Sequence, residues 1–189
     1  MNFGLGPILL VLLLVIASYA IVIYNGLVRA RQIMREAWSG IDVQLKRRAD
    51  LIPNLIETVK GYVQHERAVL EEVTALRSRA QSLPSDDVAG RGQVEGLLGR
   101  ALGRLFAVAE AYPDLKANEN FRQLQSSLET LESEIQMARR YYNGAARELN
   151  IKVESFPSNL VASMFGFSQA EYFEIDNAED RAVPKVSFS

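Results

Sequence analysis

The chain has 189 residues, a net charge of -2 and no cysteine. The missing thiols exclude disulfides, thiolate metal sites, cysteine nucleophiles and lipoprotein acylation, and the near-neutral balance supplies no basic field to attract nucleic acid. One histidine and one tryptophan leave a thin inventory for acid–base or base-stacking chemistry.

Residues 6–24, GPILLVLLLVIASYAIVIY, are almost wholly apolar, and no charged side chain precedes Arg29. As a helix, residues 4–24 extend about 31 Å, the thickness of bilayer hydrocarbon. A cleaved signal peptide is the rival reading, with Ser18-Tyr19-Ala20 as its cleavage sequence. No basic residue opens the run, however, and the apolar stretch continues through Tyr24, so a retained anchor is expected. Tyr24 suits the interfacial level, where amphipathic rings collect. Arg29, Arg31 and Arg35 follow at once. The positive-inside rule then puts the amino terminus outside and the body in the cytoplasm. Each arginine near anionic headgroups contributes on the order of 1 kcal/mol.

Beyond the anchor, apolar residues recur every seven positions. One row reads Leu27, Met34, Ile41, Arg48, Leu55, Tyr62, Val69, Leu76; its companion reads Trp38, Leu45, Ile52, Val59, Glu66, Val73, Ala80. Such spacing makes one helical stripe. Arg48 and Glu66 interrupt it, and Lys152 interrupts a later stripe; polar residues at such positions fix register. On that reading Arg48→Leu loosens register without lowering the melting temperature. Pro53 admits two dispositions. The unbroken phase favours a kinked continuous helix. Comparable helix lengths favour a chain reversal between Arg48 and Pro53, with Asp50 capping the next helix and Pro53 in its first turn; we take the reversal as the expectation. Helices are then predicted over 27–47, 51–80, 93–112 and 118–156.

The turn formers of SLPSDDVAGRG (82–92) mark a loop, and Pro113 in AYPDLKAN (111–118) stops a helix. Gly92, Gly96, Gly99 and Gly103 are expected to permit close helix contacts or local flexibility. Rows at Phe121, Leu128, Ile135, Tyr142, Leu149, Phe156 and at Leu124, Leu131, Ala138, Ala145 define the last long helix. The closing VPKVSFS reads as extended, and Glu171, Glu174, Asp176, Glu179 and Asp180 form a solvated acidic tail.

Candidate chemistry is sparse. His65-Glu66 begins like a zinc-peptidase helix, but Val69 stands where the second histidine belongs. Gly90, Gly92 and Gly96 match a dinucleotide loop poorly, with no strand before them. The polar cluster with most interest is Lys46, Arg47, Arg48, Asp50 and Asn54, with Asp114, Lys116 and Asn118 at the other interruption. Gathered at one bundle end, these residues would bind an acidic partner or anion, or would simply cap and pair. No catalytic, cofactor or metal residue is assigned.

Several blocks in order carry a family resemblance: Tyr24-Asn25, AWSGIDVQLKRRADLIPNL (37–55), YPDLKANENF (112–121), ARRYYNGAARELN (138–150), FPSNLVASMFGF (156–167) and YFEID (172–176). Together they resemble the LemA family of bacterial membrane proteins. The resemblance implies one amino-terminal membrane helix, a cytoplasmic antiparallel helical bundle, and no established activity or cofactor. The expected fold is therefore all-α, a single transmembrane helix followed by an antiparallel four-helix bundle with long helices. Its divisions are an anchor at 1–28, a bundle at 29–167 and an irregular or extended tail at 168–189. The expected function is a non-enzymatic scaffold or interaction module of the bacterial inner membrane. It would work with the lipid bilayer, further copies of itself and an unidentified membrane or cytoplasmic protein, without nucleic acid. The alternative is a hydrolase-like enzyme at the membrane face, using the charged cluster. A concave pocket joining residues 46–54 to 114–118 would favour that alternative. The segment NLVASMFGF (159–167) is too apolar to stand in water and should meet the bundle, a neighbouring copy or the membrane.

Overall fold

The computed structural model describes residues 5–63 and 66–175. Six helices follow in order: α1 (Leu5–Lys60), α2 (Arg67–Ser82), α3 (Val88–Ala109), α4 (Pro113–Ala117), α5 (Glu119–Glu154) and α6 (Ser158–Met164). Among the described residues there is no strand, so the chain is all-α with a long apolar first helix. His65, Asp176, Glu179, Asp180 and VPKVSFS lie outside the described residues. Residues 168–175 carry no regular secondary structure.

The expected reversal at Arg48–Pro53 does not occur. Pro53 lies inside α1, which runs unbroken to Lys60, and Asp50 is an exposed mid-helix residue rather than a cap. The turn comes instead at Gly61, where the Tyr62 and Val63 amides both bond to the Val59 carbonyl (2.9 and 3.1 Å). A proline has no N–H for the carbonyl four residues back, which here belongs to Ala49. The Nε of Arg77 on α2 donates to that carbonyl at 2.7 Å. The helix thus crosses its proline because a neighbouring helix supplies the missing donor. Arg77→Met should cost about 1.5–3 kcal/mol, the range for a hydrogen bond from a charged donor. In a Pro53→Ala background, where the backbone donor returns, the same substitution should cost clearly less; equal costs in chemical denaturation would refute the coupling.

Two compact units divide the chain: Met1–Ser39 with Tyr141–Glu171, and Gly40–Arg140 with the chain from Tyr172. In the second, a core forms from Ile52, Leu55 and Val59 of α1, Leu70 and Val73 of α2, Leu98, Leu102 and Leu105 of α3, Leu115 of α4, and Phe121 and Leu128 of α5. Contacts give the helix directions. Arg77 meets Ala49 beyond the turn that opens at Gly61, and Arg104 pairs with Glu72 across the turn at 83–87, so each pair is antiparallel. Asn118 bonds Tyr62 while Arg47 meets Glu134, so α5 runs back along α1. Caps match their residues. The Asp87 carboxylate accepts from the Gly90 amide (2.8 Å) at the start of α3, and the Asn118 side chain accepts from the Phe121 amide (3.0 Å) at the start of α5.

In the first unit the surplus length of α5 is covered from within the chain. Tyr142, Ala145, Ala146 and Leu149 are buried, and Tyr142 packs on Trp38 with ring centroids 5.3 Å apart. Asn150 binds the irregular segment before Tyr172 like a strand partner. Its Nδ2 donates to the Ala170 carbonyl (3.0 Å) and its Oδ1 accepts from the Ala170 amide (2.7 Å). The remaining packing in this unit gathers Leu27, Ala162 and Phe167, flanked by Ile23, Tyr24, Val28, Val153 and Val161. The apolar run from Ile8 to Val22 contributes nothing to that core; its large side chains stay exposed.

Candidate functional site

Arg48 interrupts an apolar row because its head is neutralised, not because it reaches water. Its side chain is 2% exposed. One terminal nitrogen donates to the carboxylate and the backbone carbonyl of Glu95, itself 3% exposed, and the other bonds Glu132 at 2.8 Å. The guanidinium fork suits such a task, since its donors lie in one plane and stay charged. A lone buried charge would be strongly disfavoured, and here two carboxylates on α3 and α5 compensate it. Glu95 escaped the sequence reading. The available signal was physical: a cation in a buried row requires an anion in another, and Glu95 shares a face of α3 with Leu98 and Leu102.

Beside this triad lies a groove of about 410 Å³ whose lining includes Arg48, Gly96, Gly99, Arg100, Phe106 and Ile175. Nearby, two glycines of α3 meet the carboxy-terminal backbone. A Cβ on Gly92 would fall 2.4 Å from the Glu174 carbonyl oxygen, and one on Gly96 would fall 2.2 Å from that of Ile175. The expectation of close contact thus holds for these two, with a correction: the neighbour is the irregular carboxy-terminal segment, not another helix. Phe173, fully buried, anchors that segment.

The other candidate residues disperse. Lys46, Asp50 and Asn54 are exposed along α1, and Arg47 bonds Glu134 and Gln44 (3.1 and 3.0 Å). Asp114 is exposed on α4, Lys116 pairs with Glu110, and Asn118 caps α5 while bonding the Tyr62 hydroxyl at 2.9 Å. With α1 continuous, residues 46–54 sit in mid-helix, and the groove is lined by Arg48, α3, α5 and Ile175 without residues 114–118. Of the flanking set, Tyr24 packs at a steep tilt against Phe165 and edge-on against Phe167 (centroids 4.8 and 5.8 Å), and Arg31 lies 4.6 Å over the Phe167 ring. Arg29 and Arg35 are exposed. Among the described residues no group of three His, Asp or Glu side chains is placed to hold a metal ion.

One titration is displaced. Burial pushes the Tyr142 phenol from 10.0 up to about 12, with the Glu171 carboxylate adding to the shift, while the hydroxyl donates to the Glu171 backbone carbonyl at 2.8 Å. A pKa raised on folding stabilises the fold fully below the unfolded value, and that contribution disappears as pH climbs from about 10 toward 12. Spectroscopic titration should therefore resolve one tyrosine ionising above the others, absent in Tyr142→Phe. A variant that retains the late component would assign it elsewhere.

An exposed apolar stretch of α1, a bundle with a buried Arg48–Glu95 ion pair and a tail seated on glycines mark a helical protein of the membrane-associated class. The family model described as LemA family matches residues 37–188, and the chain belongs to that family. It is similar to Magnetosome protein MamQ 2 of Paramagnetospirillum magneticum, 27% identical over 95% of this chain and 77% of the relative. Protein LemA of Metamycoplasma hominis is 29% identical over 83% of this chain and 75% of the relative. Magnetosome protein MamQ of Magnetospirillum gryphiswaldense is 24% identical over 95% and 77%.

Proposed function

We propose that the chain is a membrane-anchored, non-enzymatic interaction module of the bacterial inner membrane. The apolar part of α1 spans the bilayer with the amino terminus outside, and the bundle holds partner proteins and further copies of the chain on the cytoplasmic side. The carrying observation is the run from Ile8 to Ile16, whose large apolar side chains are each 53–68% exposed. Water disfavours so large a contiguous apolar surface, whereas hydrocarbon accommodates it. Arg29, Arg31 and Arg35 support the orientation. The non-enzymatic reading rests on the pairing of both terminal nitrogens of Arg48 with the Glu95 and Glu132 carboxylates, and on relatives whose names designate no reaction.

Lateral association draws support from Tyr141 and Ile151 of α5, 59% and 50% exposed in the first unit. The absence of native cysteine makes the test clean. Tyr141→Cys or Ile151→Cys, treated with a bismaleimide in native membranes, should give a covalent dimer or a conjugate with another protein. Monomer alone from both variants would remove the interaction part of the reading while leaving the anchor intact.

A further inference from the structure

We infer that the segment from Phe156 to Phe165 dips into the same bilayer leaflet as the cytoplasmic end of the anchor, a second and shallow membrane contact. This rests on the anchoring reading above. The segment leaves α5, turns and forms α6, whose inner residues Val161 and Ala162 pack against α1 around Leu27 and Val28. Tyr24 packs against Phe165, and Phe167 is buried beneath. The outer face is different: Phe156, Leu160 and Met164, four residues apart, are 80%, 60% and 78% exposed.

Position along α1 identifies the occupant. The run of exposed large apolar side chains ends at Val22, and α6 packs against residues 23–28. At 1.5 Å per residue that contact occupies roughly the first 10 Å beyond the hydrocarbon-facing run. This is the headgroup layer, at whose boundary with the acyl chains interfacial amphipathic segments bury their apolar faces. Cationic groups lie at the same level. The Lys152 Nζ stands 4.0 Å from where a Gly26 Cβ would be, and Arg31 lies over Phe167. Exposed Phe, Leu and Met are thus continuous with the lipid-facing surface of the anchor and rimmed by side chains suited to headgroups.

The test uses the full chain with Trp38→Phe, which removes the single tryptophan, and one new tryptophan at a time. Leu160→Trp and Met164→Trp report on α6 at sites already exposed; Leu13→Trp reports on the anchor. Each is reconstituted into phosphatidylcholine–phosphatidylglycerol vesicles whose acyl chains are brominated either near the glycerol or near the chain middle. Both α6 probes should lose about half their emission to the shallow bromines, less to the deep ones, and resist aqueous iodide. The Leu13→Trp probe should show the reverse depth order. Iodide quenching of both α6 probes without bromine quenching, while Leu13→Trp still responds, would overturn this inference alone. Protection from both quenchers would mean that protein covers the face, and would overturn it equally. Failure of Leu13→Trp to respond would overturn the anchoring reading, and this inference with it.

Discussion

Arg48→Leu in the full-length chain should lower the unfolding free energy of the bundle by about 3–5 kcal/mol, because it leaves the Glu95 carboxylate buried without a counter-ion. For a chain of this size that corresponds to a fall in Tm of roughly 10 °C. This reverses the expectation from the heptad rows, in which Arg48 chose register at no cost to melting. The reversal comes from Glu95, 3% exposed and bound through its carboxylate to Arg48. Glu132 keeps 44% of its side chain exposed, so water can take over when the arginine is gone. The double variant Arg48→Leu with Glu95→Leu should recover most of the loss, since well-packed apolar replacements of a buried pair are often neutral or better. Denaturant unfolding of wild type, both singles and the double settles it: additive losses would show that the two residues do not share one interaction.

Gly96→Ala sets two effects against each other. Alanine favours helix by about 1 kcal/mol over glycine. Its Cβ, however, would lie 2.2 Å from the Ile175 carbonyl oxygen, a clash that only movement of the carboxy-terminal backbone relieves. That movement unseats Phe173, whose burial is complete, and loss of a buried phenylalanine side chain costs about 3–5 kcal/mol. The clash wins. The variant should lose about 2–4 kcal/mol and expose the bonds after Tyr172 and Phe173 to chymotrypsin. Gly103→Ala is the matched control on the same helix, with nothing within 4 Å of its new Cβ; it should gain up to about 1 kcal/mol. Equal protease resistance in the two variants would show that the tail does not depend on the Gly96 contact.

These residues also show how far sequence reasoning reaches. Heptad rows located most of the stripes, failing at Tyr62 and Phe156, which are exposed and outside the helices, and their unbroken phase across Pro53 was the better guide to α1 than helix length. Length misled because α1 and α5 each contribute to both compact units, so neither needs a partner of equal size over one stretch. The donor that lets α1 pass Pro53 belongs to Arg77, 28 residues along the chain from Ala49, and no local pattern announces a long-range bond. Of the two stripe interruptions, Glu66 marks the start of α2 while Arg48 is a core ion pair. Both look alike in a seven-residue count. The glycines of α3 advertised a close approach without naming its partner, because the partner is an irregular segment with no periodicity to match. The family resemblance was legible because it rests on many blocks in order; the charged cluster was not a single place because its assembly required the reversal that α1 does not make.

The most direct test of the account is the sidedness of a single cysteine at Ser126, an exposed position of α5, in a chain that otherwise has none. Cells are treated with a membrane-impermeant maleimide before and after permeabilisation, and labelling is read in the alkali-washed membrane pellet. The account predicts a pelleted protein that is unlabelled in intact cells and labelled once the inner membrane is opened. Labelling from outside intact cells, or recovery of the protein in the wash, would contradict it.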